Sequence, residues 1–257
     1  MTATRYARGR LPAVYTRRTV RSALAMRAAL DPLGPAPAAC ADYLSARRSL
    51  APQMWYNDVC GDCTAVDTAN RLVLRTANVG PVVLVPTTPQ VVALYSAVSG
   101  YVPGDDATDV GASEDAMCAY LRTTGFLGHV ALSTGAIEPS NLDHVKWGCQ
   151  LFGGVRLGLN LPRYADDQFY DGRPWDVSSH GDQETDGHDV ALVDFRGDAL
   201  RVDTWGRTIE MTPAAFRAWC DECHAELYPD WIRAQSGAAP SGFLLSALVD
   251  MMREVDS

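Results

Sequence analysis

Apolar positions along the chain change their period near residue 153. Before it they recur every three or four residues: Ala65, Val66, Ala69, Leu72, Val73 and Thr76 form one stripe. That spacing predicts a helix beginning at Cys63, with Asp62 as its N-cap. Thr88-Pro89 opens a second helix that buries Val91, Val92, Tyr95 and Val98 and stops at Gly100. Ser113 caps a third, ending at Gly125. Asn141 caps a fourth, with Leu142, Val145, Cys149 and Phe152 inward and Gly153-Gly154 at its end. Beyond it Val155, Leu157, Leu159 and Leu161 alternate with Arg156, Gly158 and Asn160, the pattern of a half-buried strand. His188 to Phe195 reads as another strand, Arg196-Gly197-Asp198 as a turn, and Ala199 to Thr204 as its antiparallel return. Pro213 to about Leu227 reads as a last helix carrying Phe216, Trp219 and Cys220. The order predicts an α+β chain: a helical lobe over about 40–153 packed on an antiparallel β-sheet or barrel lobe over about 154–212, with a cleft between them. Upstream, Pro32, Pro35 and Pro37 forbid regular helix, so residues 1–39 read as an arm and the compact body begins near residue 40.

Composition narrows the classes. At 257 residues, 47% hydrophobic and 21% charged, the chain can bury roughly 70–75% of its unfolded surface. Disorder, collagen and coiled coil are excluded. No stretch approaches the roughly 20 apolar residues of a membrane span, Arg27 breaking the best N-terminal candidate. The net charge of −9 is uneven: residues 1–50 hold nine arginines against Asp31 and Asp42, and the acidic excess lies in the remainder. A basic arm on an acidic body favours docking on its own domain or contact with a protein partner; the acidic body argues against nucleic acid. Seven cysteines and no recognisable secretory leader point to free thiols in a reducing, cytoplasmic compartment.

The chemistry concentrates in Asn57-Asp-Val-Cys-Gly-Asp-Cys63-Thr. A thiol starting a helix feels the positive end of the peptide dipoles and free N–H groups, which lower its pKa and arm it as a nucleophile. His188 is the matching base, and Asp203 on the following strand is the group to orient it. An unbroken two-residue turn puts His188 and Asp203 on the same face, offset by about two pairs, so a bulge or bend must close the gap. Asn57 can present its amide to a developing oxyanion, and Trp205 can shield the His and Asp pair.

In order and spacing these residues resemble the papain-like cysteine peptidases. That signature has an oxyanion glutamine six residues before the nucleophile, a Cys-Gly-x-Cys run, a distant histidine opening a strand, and Asn-Ser-Trp-Gly on the next. Asn57, Cys60-Gly61-Asp62-Cys63, His188 and Asp203-Thr204-Trp205-Gly206 match it, with Asn for Gln, Asp for Asn and Thr64 for an aromatic. The resemblance covers about residues 40–210 and implies a Cys63-His188-Asp203 thiol hydrolase acting on peptide or related amide bonds, without cofactor or metal. It also implies that the basic arm lies along the cleft as a prosegment.

Rival readings stand beside it. A non-catalytic structural or interaction protein on the same fold, as in a phage particle, would use the arm as a tether and place the chain in a virion. Cys60/Cys63 and Cys220/Cys223 have the spacing of thiolate zinc pairs, Cys60-Gly-Asp-Cys63 that of a redox motif, and Cys220 to His224 that of a haem attachment site, each without its usual context. The acidic loop from His180 to Asp186 is a solvated segment or, at a cleft rim, a preference for basic substrate residues.

Overall fold

The computed structural model describes residues 7–47, 50–233 and 236–253. In chain order the regular elements are α1 Arg17–Leu30, α2 Leu44–Arg47, α3 Cys63–Val79, α4 Thr88–Ser99, α5 Glu114–Thr123, β1 Ser133–Ala136, α6 Leu142–Phe152, β2 Val155–Pro162, α7 Tyr164–Tyr170, β3 Thr185–Arg196, β4 Ala199–Thr204, β5 Arg207–Met211, α8 Pro213–Trp219, β6 Cys220–Leu227 and α9 Leu245–Arg253. The four expected helices α3 to α6 form where their spacing put them. Ser113 and Asn141 cap α5 and α6 through their side chains, and Gly100 and Gly153 end α4 and α6 in the left-handed conformation. Asp62 stands at the N-cap of α3, but its side chain makes no capping hydrogen bond.

The strands form one antiparallel sheet in the order β1-β6-β2-β3-β4-β5, open at both edges rather than closed into a barrel. The apolar core divides in two. One cluster joins α6, α9 and the inner faces of the strands, around Leu157, Val190, Leu192, Phe195 and Trp175; the other joins α3, α4 and α5 around Ala69, Leu72, Tyr95 and Met117. α3 lies against β3 where the two meet. Helices and antiparallel sheet are both present, as expected.

Four expectations change. The helix read from Pro213 to Leu227 stops at Trp219; Cys220–Leu227 is instead an interior strand, paired with β1 on one side and β2 on the other. β2 is not half-buried, because Arg156 is wholly enclosed, bonding Asp189, Thr64 O and Thr68 between the two cores. β1 comes from the stretch assigned to the helical lobe. The arm is not separate either: α1, capped by Thr16, buries Met26 and Leu30 in the sheet-side core. Among the described residues no helix is long and apolar enough to cross a membrane.

Candidate active site

Cys63 is the first residue of α3, and its side chain is 1% exposed. Burial, with the Asp189 carboxylate nearby, pushes its thiol up to about 12, against the depression expected of a helix start. Two main-chain N–H groups work the other way, those of Asp189 and Gly9. The first belongs to the residue beside His188 and the second to the N-terminal segment, so the sulfur sits where α3, β3 and that segment converge.

His188, also 1% exposed, lies near the start of β3 with its ring stacked on Trp205, centroids 4.5 Å apart. Its Nε2 is 2.9 Å from Thr204 Oγ1, while Nδ1 makes no hydrogen bond. Burial and the charges of Arg8 and Arg10 hold the imidazole well below its usual pKa, hence neutral. Asp203 does not meet it. From Arg196↔Ala199 an unbroken ladder would set Asp203 opposite Leu192, on the face of His188. A bulge between Leu192 and Asp194 shifts the register by one, pairs Asp203 with Ala191 and turns its carboxylate to the other face. There Arg47 grips it, with Thr208 donating at 2.5 Å. The same shift brings Thr204 to His188. The sequence signal for Thr204 was its place beside Asp203; the bulge that exchanges them left none.

The groove above Cys63 and His188 is filled by residues 7–11. Ala7 N–H donates to Asn57 O, Ala112 N–H to Gly9 O at 2.8 Å and Leu11 N–H to Ala112 O at 3.0 Å on the helical side, while Arg10 N–H reaches Gly187 O at 3.1 Å on the sheet side. The fit needs bare backbone: a Cβ at Gly111 would lie 2.2 Å from Gly9 O, and one at Gly187 2.0 Å from Arg10 O. The flanking arginines dock on the acidic body. Arg8 donates to Asp166 at 2.5 Å and to Leu161 O, with its guanidinium over Trp205; Arg10 enters a recess holding Glu222. Beside this strap a cavity of about 470 Å³ remains, lined by Asp109, Gly111, Arg163 and Asp166 among others.

Asn57 is buried, and its amide donates to Cys60 O at 3.2 Å, which closes the loop ahead of α3. The cysteines are free thiols, Cys223 and His224 lying buried on β6. Among the described residues one group could gather a metal ion, Glu114, Glu222 and His224, whose ligand atoms lie within 4.8 Å of one another. The Arg10 guanidinium, donating to Glu222 at 2.5 Å, already supplies positive charge there.

No protein-family model matches the chain, and no curated protein sequence matches it. Solved structures do. Xylellain, a cysteine protease from Xylella fastidiosa, superposes with a TM-score of 0.61 at 12% identity, covering 88% of this chain and 99% of that one. The Carica candamarcensis cysteine protease CMS1MS2 gives 0.54 at 12% identity over 74% of this chain and 98% of that one. Procathepsin B from Trypanosoma congolense gives 0.52 at 14% over 86% of each. The chain therefore has the papain-like protease fold.

Proposed function

We propose that the protein is a latent thiol hydrolase of peptide or related amide bonds, with Cys63 as nucleophile and residues 7–11 as its plug. The observation that supports it best is that one strap, bound by both walls of the groove through main-chain hydrogen bonds, reaches the helix-start thiol with the Gly9 N–H and the Thr204-oriented imidazole with the charges of Arg8 and Arg10. When the strap withdraws, water reaches the sulfur and the two cationic side chains leave the imidazole. His188 then takes the thiol proton on its unpartnered Nδ1, and the thiolate attacks the scissile carbonyl. The oxyanion forms near the Cys63 N–H at the start of α3, where the peptide dipoles favour negative charge. His188 returns its proton to the leaving amine, and water hydrolyses the thioester. Thr204, rather than Asp203, holds the ring by its other nitrogen, and Trp205 covers the pair. Asn57 joins the oxyanion donors only if its amide leaves Cys60 O.

A second reading, a non-catalytic interaction protein, draws on the sealed sulfur with its thiol pushed up to about 12. Hydrolysis of a fluorogenic peptide library by the full chain carrying Gly9→Ala, whose Cβ would lie 1.9 Å from Gly61 O and so displaces the strap, beside the same chain with Cys63→Ala added, separates the two. Turnover that vanishes with Cys63→Ala supports the hydrolase. Absence of turnover, with Cys63 labelled by iodoacetamide no faster than an ordinary thiol, supports the interaction protein.

A further inference from the structure

The recess that receives Arg10 is formed by β2, β6 and the start of α5. Its floor is Gly158, where a Cβ would lie 2.5 Å from Glu222 Cγ, 2.6 Å from Glu114 Oε1 and 3.0 Å from Arg10 Cδ. The Arg10 side chain is fully enclosed. Nη1 donates to Glu222 Oε1 at 2.5 Å, and Nη2 reaches Asn160 Oδ1 at 3.2 Å and Asp221 Oδ1 at 3.0 Å. Glu114, 0% exposed, accepts no hydrogen bond on either carboxylate oxygen, and His224 Nε2 lies 3.7 Å from it. The recess thus gathers Glu114, Asp221 and Glu222 around one imidazole, with Arg156 acting on Glu114 from β2, and the guanidinium that touches Glu222 and Asp221 comes from the strap.

We propose that this recess is a substrate subsite for an arginine side chain, so that a peptide bearing arginine takes the place of Arg10 when the strap leaves. The proposal rests on the reading of the groove as a hydrolytic cleft. The neighbouring main chain supports it: Arg10 N–H bonds Gly187 O, next to His188, and Gly9 N–H points at Cys63 Sγ, so the recess lies one residue from the sulfur. Acceptors at Glu222, Asp221 and Asn160 meet two arms of one planar fork, which suits guanidinium better than the compact ammonium of lysine. An apolar side chain would remove the guanidinium hydrogen bond to the buried Glu222, whose remaining partner is His224 Nε2 at 3.3 Å. Strap and substrate then compete through one chemical group, and the arm's sequence Arg8-Gly9-Arg10 carries the preference of the cleft it closes.

The test uses the full chain with Arg10→Ala, and with Gly9→Ala as a second variant that displaces the strap without altering the recess. N-acetyl-arginine amide is titrated into each by calorimetry, beside the lysine and leucine amides. The expected result is saturable binding of the arginine amide, at least about 10-fold tighter than either competitor, lost on adding Glu222→Gln and absent in the unaltered chain. Equal binding of the arginine and leucine amides, or binding that survives Glu222→Gln, overturns the subsite. A peptide library with one position varied at a time then compares kcat/KM, with about a 10- to 100-fold preference for arginine at one position. Cleavage without that preference sinks the subsite and leaves the hydrolase standing. Arginine-amide binding without cleavage of any peptide does the reverse.

Discussion

Gly9→Ala tests the strap without touching either wall of the groove. A Cβ at Gly9 would lie 1.9 Å from Gly61 O, and the obstacle is backbone on a tight loop rather than a side chain able to swing aside. The strap must retreat by more than 1 Å to reach ordinary contact, roughly the distance over which a main-chain hydrogen bond is lost. Three such bonds stand to break: Ala112 N–H to Gly9 O, Leu11 N–H to Ala112 O, and Arg10 N–H to Gly187 O. At about 1 kcal/mol each the strap loses about 3 kcal/mol, close to a 100-fold rise in the uncovered population. The assay is the rate of Cys63 alkylation by iodoacetamide at pH 7, mapped by peptide mass spectrometry, with near-ultraviolet circular dichroism confirming the fold. About a 100-fold faster labelling of Cys63, with buried Cys149 unchanged, is expected. An unaltered rate in a folded variant would refute the claim that residues 7–11 seal the thiol.

Thr204→Val removes the hydroxyl at His188 Nε2 and is expected to lower kcat about 100-fold through a misoriented ring, with Thr204→Ser restoring it and Asp203→Asn costing less than about twofold. A larger loss in Asp203→Asn than in Thr204→Val, in pH-rate profiles of the strap-displaced chain, would return the orienting role to Asp203. Arg47→Ala strands the buried Asp203 carboxylate, so thermal unfolding should show a loss of about 3–5 kcal/mol, recovered in part by adding Asp203→Asn. Asp62 is 0% exposed, and burial raises its carboxyl to about 8, so it must take up a proton on folding wherever the unfolded chain has lost it. That cost starts above the ordinary carboxylate pKa of about 4 and grows until the pH passes 8. Asp62→Asn should therefore raise the melting temperature little at pH 4 and most at pH 8, and a gain independent of pH would contradict the burial argument.

The parts of the fold that could be read in advance rest on local spacing. α3 to α6 announce themselves through one apolar stripe each and a cap or stop residue at the right place, and the β3–β4 hairpin through Gly197-Asp198 between two apolar runs. β6 failed because Phe216, Trp219, Cys220, Cys223 and Leu227 satisfy a helical period while Cys223, Ala225 and Leu227 satisfy a strand's. Pairing on both sides, with β1 and β2, decides between them, and that is a tertiary fact. Cys63 was placed by the same spacing as the helices and opens α3, whereas β3 begins three residues before His188, at Thr185. Asp203 was misplaced by one inserted residue at Val193, invisible locally yet sufficient to exchange the two faces of β4 beyond it. The strap was legible as charge and as the prosegment that the resemblance implies: the arginine excess in the first 50 residues favours docking or a protein partner, while the structure shows that Arg8 and Arg10 are the residues that enter the groove.

Covering the groove does more than block it. A thiol–imidazole pair is reactive when the thiol pKa falls toward that of the imidazole, so that the proton can pass from sulfur to nitrogen. Under the strap the two are driven apart: burial and the Asp189 carboxylate push Cys63 up to about 12, while burial with the charges of Arg8 and Arg10 pushes His188 down. Every one of those causes except Asp189 is supplied wholly or partly by residues 8–10, which exclude water and carry the two cations. On the proposed reading, withdrawal of this one segment lessens both shifts at once, since hydration favours the thiolate and the imidazolium alike. Arg8→Gln separates this electrostatic share from the steric one. It removes a cation from His188 while Gly9 still covers the sulfur, so the imidazole titrates at higher pH, readable from its ring-proton NMR shifts, and Cys63 labelling stays slow. Fast labelling in that variant would mean that the arginine, and not the main chain of Gly9, is what closes the groove.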